Sequence, residues 1–194
     1  MKRILSLILV LGLIGVVIGL AVLIRNHFVP TIITSKVVEA RPSSVAELEE
    51  WVDEIVLVTV TDINRQEEYT ILEIPMYRTF TTVQVDHVFK GSLESGSKIE
   101  IGLPHGYVRK PTGLYLITTG RYLPLKRNSS YLLFVVVTPS GYYAISPDGK
   151  FVFPPPDVFT AKTLEIGEVD SLYLLLLNEV WEKYLPQIDH SHKP

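Results

Sequence analysis

Residues 79–106, TFTTVQVDHVFKGSLESGSKIEIGLPHG, carry the strongest statement about fold in this chain. From Tyr77 onward Thr79, Thr81, Val83 and Val85 fall on one side. Arg78, Phe80, Thr82, Gln84 and Asp86 fall on the other, which is the period of two expected of a half-buried strand. Val88 and Phe89 break that phase, and the break predicts a bulge near His87. Lys90 to Gly96 form a turn with two glycines available for positive φ, and Ser97 to Ile101 return as a strand.

The same reading extends outward. Ser44 and Glu47 have the spacing of a capping box, and Val45, Leu48 and Val52 share one face of a short helix with Trp51 beside them. Glu54 to Ile63 is rich in β-branched residues and reads as the first core strand, followed by a polar loop over Arg65 to Tyr69. Residues 102–124 mix glycine, proline and tyrosine, with Leu114 to Ile117 as a short strand. Tyr131 to Val137 is the strongest buried-strand signal in the chain. Thr138 to Gly141 is a tight turn, Tyr142 to Ser146 pairs back, Pro147 to Lys150 turns again, and Phe151 to Phe153 closes the meander. Val169, Leu172, Tyr173, Leu176, Leu177, Val180 and Tyr184 form an apolar stripe at helical spacing, widened by Leu174 and Leu175. Pro186 is expected to stop that helix. Short strands with glycine turns and a helix at each end predict a mainly β fold, a small OB-like closed barrel.

Ahead of this domain, Ile4 to Ile24 contains only one polar residue, Ser6, and 16 of its residues are Leu, Ile or Val. As a helix it spans about 31 Å, the thickness of a bilayer core. Its insertion gains roughly 5 kcal/mol. The run is longer than the apolar core of a signal peptide, and its one small-x-small triplet, Gly19-Leu20-Ala21, lies inside it. An uncleaved signal anchor is expected over residues 1–25, crossing the lipid bilayer through 4–24. Lys2 and Arg3 place the N-terminus in the cytoplasm and the remainder outside the cell membrane as a single-pass protein. The expected organisation continues with a tether over 26–42, the barrel domain over 43–166, the C-terminal helix over 167–186 and a polar tail over 187–194.

The chain has no cysteine. That excludes disulfides, a thiolate nucleophile and sulfur metal sites, and it suits a bacterial surface protein. Outside the membrane segment 15 basic residues face 21 acidic ones, yet no acid occurs between Glu100 and Asp148. Tyr107, Arg109, Lys110, Arg121, Tyr122, Lys126 and Arg127 fall in that interval. Basic and aromatic residues on a barrel rim can bind an extended anionic polymer, here a wall polymer or lipid headgroup rather than nucleic acid.

The stretches VDEIVLVTVTDI, TTVQVDHVFKGSLESGSKIEI, LKRNSSYLLFVVV and GYYAISPDGKFVF together resemble a group of membrane-anchored, uncharacterised proteins of Gram-positive bacteria. Their rhythm is similar to the OB-fold barrel of netrin-like and metalloproteinase-inhibitor domains, over about residues 45–153. Inhibitors of that class present a cysteine-bearing N-terminus to zinc, and this chain has neither the cysteine nor a free N-terminus. No inhibitory residue carries over. A glycine expected before the Tyr131 strand is replaced by Asn128-Ser129-Ser130.

Lys98 to Pro104 is similar to the lysine segment of type I signal peptidases. That chemistry needs a serine and a desolvated lysine facing one another. Ser97 and Lys98 are adjacent on a strand and point to opposite faces, and the Met-Pro neighbours Ile74-Pro75-Met76 include no serine. Asp189, His190 and His192 form a polar tail rather than a metal site, and His87 and His105 lack a third ligand. No cofactor is expected. The sequence therefore points to a membrane-anchored extracytoplasmic binding or interaction domain. The alternatives are a hydrolase of unrecognised type and a structural subunit of a membrane complex, joined to a membrane protein partner.

Overall fold

A computed structural model describes residues 13–22, 24–25, 28–35, 41–71, 73–119, 124–154 and 171–191. Its strands are β1 (Thr31–Ser35), β2 (Glu54–Ile71), β3 (Ile74–Lys90), β4 (Lys98–Leu103), β5 (His105–Lys110), β6 (Gly113–Thr119), β7 (Ser130–Val137) and β8 (Tyr143–Phe153). Helix α1 (Val45–Glu50) precedes β2, and α2 (Ser171–Ser191) follows β8. The fold is mainly β with a helix on each side of the long strands, as the sequence led us to expect. Two compact units divide the chain: Met1–Thr34 with Tyr107–Ile117, and Ser35–Gly106 with Thr118–Pro194.

In the larger unit five strands pair in the order β2-β3-β4-β8-β7, and β7 pairs back onto β2, so the sheet closes on itself. Every junction is antiparallel except β4 with β8, which run parallel where Ile101 faces Tyr143. The apolar run of β7 has a simple cause. Tyr131, Leu133 and Val135 join Val56, Val58, Val83, Val85 and Ile101 in one core, while Leu132 and Phe134 join a second core with α1 and α2. A strand buried on both faces needs an apolar residue at every position.

The predicted bulge is present. Leu57 pairs His87 and Val58 pairs Val85, leaving Asp86 without a ladder partner; Val88 then belongs to one core and Phe89 to the other. Asn128 takes φ 59°, so asparagine supplies the left-handed residue where glycine was expected. In α1 the Glu47 amide donates to Ser44 Oγ at 3.2 Å. The reciprocal arm differs from a capping box, because the Glu47 carboxylate accepts from the amide and hydroxyl of Ser43 instead.

Four elements depart from the sequence expectation. The segment read as a tether contains β1, which pairs in a separate sheet of order β1-β6-β5. Arg65 to Tyr69 is strand, not loop: the β2–β3 ladder continues to Ile71 opposite Ile74. Nearly all of those β2 positions are exposed, so no alternation marks them, and the ladder is flanked by Arg65 over Phe80 at 4.0 Å and Arg78 over Tyr69 at 4.7 Å. Pro147 to Lys150 does not turn the chain. β8 is continuous, and a register shift opposite Leu133 to Val135 absorbs the extra residues, with Asp148 at φ 57° accepting from Arg41 Nε at 2.6 Å.

Pro186 does not end α2, which runs to Ser191 and so takes in part of the polar tail. Gln187 Nε2 donates to Lys183 O at 2.9 Å beyond the proline, and Ile188 is fully buried in the second core. Burial of that last turn outweighs the proline cost of about 3 kcal/mol. Leu176, Leu177, Val180 and Tyr184 are buried against the sheet as the stripe predicted, but Leu175 is 59% exposed and does not widen it. Val169 lies outside the described residues.

Of the apolar run 4–24, residues 13–22 and 24 are helical, and all of them are exposed. Residues 1–12 lie outside the described residues. Among the described residues no helix is long and apolar enough to cross a membrane.

Candidate functional site

The bulge in β3 has a consequence on the sheet surface. It turns Asp86 toward a cleft of about 390 Å³ lined by Leu57 and Thr59 of β2, Gln84 and Val85 of β3, Ser95 and Gly96 of the β3–β4 turn, Ser130 of β7 and Phe153 of β8. Leu57 and Phe153 continue the apolar surface that α2 covers elsewhere, so the cleft has an apolar floor beside a polar wall. The turn is fastened to β3 by Ser95 Oγ donating to Asp86 O at 2.6 Å and by the Gly96 amide donating to Val85 O at 2.7 Å.

The polar wall has a fixed direction. Thr59 Oγ1 donates to Asp86 Oδ2 at 2.7 Å. Thr59 has one hydroxyl proton, so the 2.9 Å contact between Thr59 and Ser130 must be donated by Ser130. The chain of hydrogen bonds runs Ser130 to Thr59 to Asp86. It leaves lone pairs on Ser130 and Asp86 for a ligand that donates. Ser130 is not set up as a nucleophile, because its proton goes to a threonine oxygen and not to a base. Among the described residues no basic side chain lines the cleft.

Three strands build this wall, and its members are separated by 27 and 71 residues along the chain. The broken alternation at Val88-Phe89 was the one local sign of it in the sequence.

The basic residues singled out from the sequence are divided. Tyr107, Arg109 and Lys110 lie together on β5 in the smaller unit, where Lys110 Nζ stands 5.6 Å from the centre of the Tyr115 ring. Lys126 and Arg127 belong to the larger unit, where Arg127 donates to Thr61 O and lies 3.4 Å from Asp62. Arg121 and Tyr122 lie outside the described residues.

The protease-like pair is also separated. Lys98 is exposed, and Ser97 Oγ donates to Glu94 O at 2.6 Å. His87 packs edge-on against Phe89, with ring centres 4.5 Å apart. The side chains of Asp189, His190 and His192 lie outside the described residues, and among those described no three potential ligands gather as for a metal ion.

His105 is 2% exposed, and its carbonyl accepts from Thr79 Oγ1 at 2.8 Å. Burial holds the imidazole neutral and lowers its pKa to about 4, with the nearby Lys150 charge adding to the shift. Well above pH 6.5 neither the folded nor the unfolded chain protonates this ring, and its contribution is complete. As pH falls from about 6.5 to 4 only the unfolded chain takes the proton, so stability drops by up to about 3 kcal/mol. Urea titrations at pH 7.5 and 4.5 should show that loss, and His105→Gln should reduce the difference between them. A variant with the parent's full pH dependence would rule His105 out as its source.

No protein-family model matches this chain, and no curated protein matches it significantly.

Proposed function

We propose that this protein is a membrane-anchored, extracytoplasmic binding domain whose cleft at Asp86 holds a neutral, hydroxyl-rich ligand of saccharide type. The observation that carries the reading is the oriented acceptor row Ser130–Thr59–Asp86 beside an apolar floor. A sugar offers hydroxyl donors to such a row and an apolar C–H face to Phe153 and Leu57. The described lining holds the Asp86 carboxylate and no basic side chain, which disfavours an anionic ligand, and the cleft volume lies at the small end for ligand sites.

The apolar run 4–24 and the resemblance to surface proteins of Gram-positive bacteria support the anchor and the extracytoplasmic placement. Strand order supports the OB-like reading: counted within the closed sheet it is 1-2-3-5-4, a Greek-key order suited to such barrels. The basic residues support an anionic ligand apart from the cleft, and Arg109 and Lys110, both exposed on β5, support it most.

Full-length protein in lipid nanodiscs should bind neutral cell-wall oligosaccharides on a glycan array. Asp86→Ala should weaken that binding by roughly 10- to 100-fold, the range for losing a hydrogen bond to a charged group. Thermal unfolding of the variant separates a lost ligand contact from a damaged sheet. Capture that is indifferent to Asp86, in a variant that remains folded, would remove the cleft from the proposal.

A further inference from the structure

The smaller unit differs from the rest of the chain in charge. Met1–Thr34 and Tyr107–Ile117 hold five basic residues, Lys2, Arg3, Arg25, Arg109 and Lys110, and no Asp or Glu. The chain as a whole has 18 basic and 21 acidic residues, so the larger unit holds 13 basic and all of the acidic ones. The smaller unit also exposes apolar side chains beyond the helical run: Phe28 is 69% exposed, Val29 55%, Ile32 53%, Ile33 43% and Tyr107 43%.

Ile32 and Ile33 are consecutive on β1, one of the two edge strands of the β1-β6-β5 sheet, so they point to opposite faces. A flat protein partner would cover one face and leave the other isoleucine in water. A fluid bilayer surface can surround an edge strand from both sides. The headgroup layer is hydrated, so it can also satisfy the backbone groups of an open sheet edge, which the hydrocarbon interior cannot. On β5, Tyr107 and Arg109 point to one face and Lys110 to the other. Lys110 stands over Tyr115, whose hydroxyl lies 2.7 Å from Thr112 Oγ1. Amphipathic aromatic rings and cations with long apolar stems are the side chains that settle at headgroup depth.

We propose that the β1-β6-β5 sheet is a lipid-binding surface seated in the headgroup layer of an anionic bilayer, with Arg109 and Lys110 engaging phospholipid phosphates. This rests on the anchor reading and extends it. The apolar run holds the chain in the membrane, and the sheet that follows it grips the surface. Two cations near an anionic surface contribute roughly 30-fold to partitioning.

The absence of cysteine makes the test direct. Single-cysteine variants of the full-length chain, Leu13→Cys in the apolar run and Thr112→Cys in the β5–β6 turn, are labelled with an environment-sensitive fluorophore. They are then reconstituted into vesicles of phosphatidylcholine alone or with phosphatidylglycerol. The Thr112 label should be quenched by headgroup-depth nitroxide lipid and shielded from aqueous iodide, more strongly with phosphatidylglycerol. Arg109→Ser with Lys110→Ser should reverse most of that difference, while the Leu13 label stays quenched at depth.

A Thr112 label open to iodide while the Leu13 label is deep would overturn the lipid seat and leave the anchor standing. A Leu13 label untouched by lipid quencher would overturn the anchor itself. Shielding that needs no phosphatidylglycerol but rises with protein density would assign the edge to a second copy of the chain, against the proposal. Shielding conferred by soluble poly(glycerol phosphate) alone would assign the cations to a wall polymer, also against it.

Discussion

Phe134→Ala should destabilise the larger unit by about 4 kcal/mol and lower its thermal midpoint by roughly 12 °C. Phe134 is fully buried in the core between the sheet and the two helices, and its ring meets Phe151 and Tyr184 edge-on at 5.7 and 5.9 Å between centres. Collapse into the vacated space is hindered on both sides. Gly149 of β8 lies so close that a Cβ there would meet Phe134 Cβ at 2.9 Å, and Tyr184 is held by its hydroxyl on the Glu49 carboxylate. Burial of Tyr184, helped by that carboxylate, raises its pKa, so the phenol stays a neutral donor at ordinary pH. Calorimetry on Phe134→Ala and Phe134→Leu measures the cost. A change below about 1 kcal/mol for the alanine variant would mean that the helices do not depend on this contact.

The elements that sequence reading placed well are those with one water-facing side or two buried ones. Alternation from Thr79 to Val85 and the unbroken run at β7 both translate burial directly into residue type. Arg65 to Tyr69 failed that reading because almost every β2 position from Asp62 to Thr70 is exposed, which leaves pairing without pattern. Pro147-Asp148-Gly149 failed for a different reason. Its composition is that of a turn, but Asp148 spends its left-handed φ on a bulge inside one strand. At Pro186 the local rule met a tertiary contact, the burial of Ile188, that outweighed it.

The site was less legible than the fold. Thr59, Asp86 and Ser130 look like ordinary strand residues until the closed sheet brings three strands side by side. The basic residues were legible as a group because their signal is compositional, and the fold divides the described ones between two units. Arg109 and Lys110 fall in one unit and Lys126 and Arg127 in the other.

Gly91 is one of the two glycines read from the sequence as available for positive φ in the turn after β3, and Gly91→Ala should cost about 4 kcal/mol. The preceding Lys90 donates from Nζ to the carbonyls of Glu49 and Val52, both at 2.6 Å, closing the end of α1. Gly91 then takes φ 111°, and a Cβ there would meet Glu54 Oε2 at 1.8 Å. Glu54 is 3% exposed and has little freedom to retreat. Its carboxylate accepts from the Ser92 amide at 2.8 Å, the Ser92 hydroxyl at 3.1 Å and the Leu93 amide at 3.3 Å. A methyl group at position 91 must therefore displace a buried carboxylate from three donors as well as hold an unfavourable φ. The two costs can be separated. In a Glu54→Ala background the crowding is already gone, so adding Gly91→Ala should cost only the backbone part, about 1 kcal/mol. Urea denaturation of the four members of that cycle reads the coupling. Equal costs for Gly91→Ala in both backgrounds would show that backbone conformation alone selects the glycine, and that the carboxylate packed against it has no part in the choice.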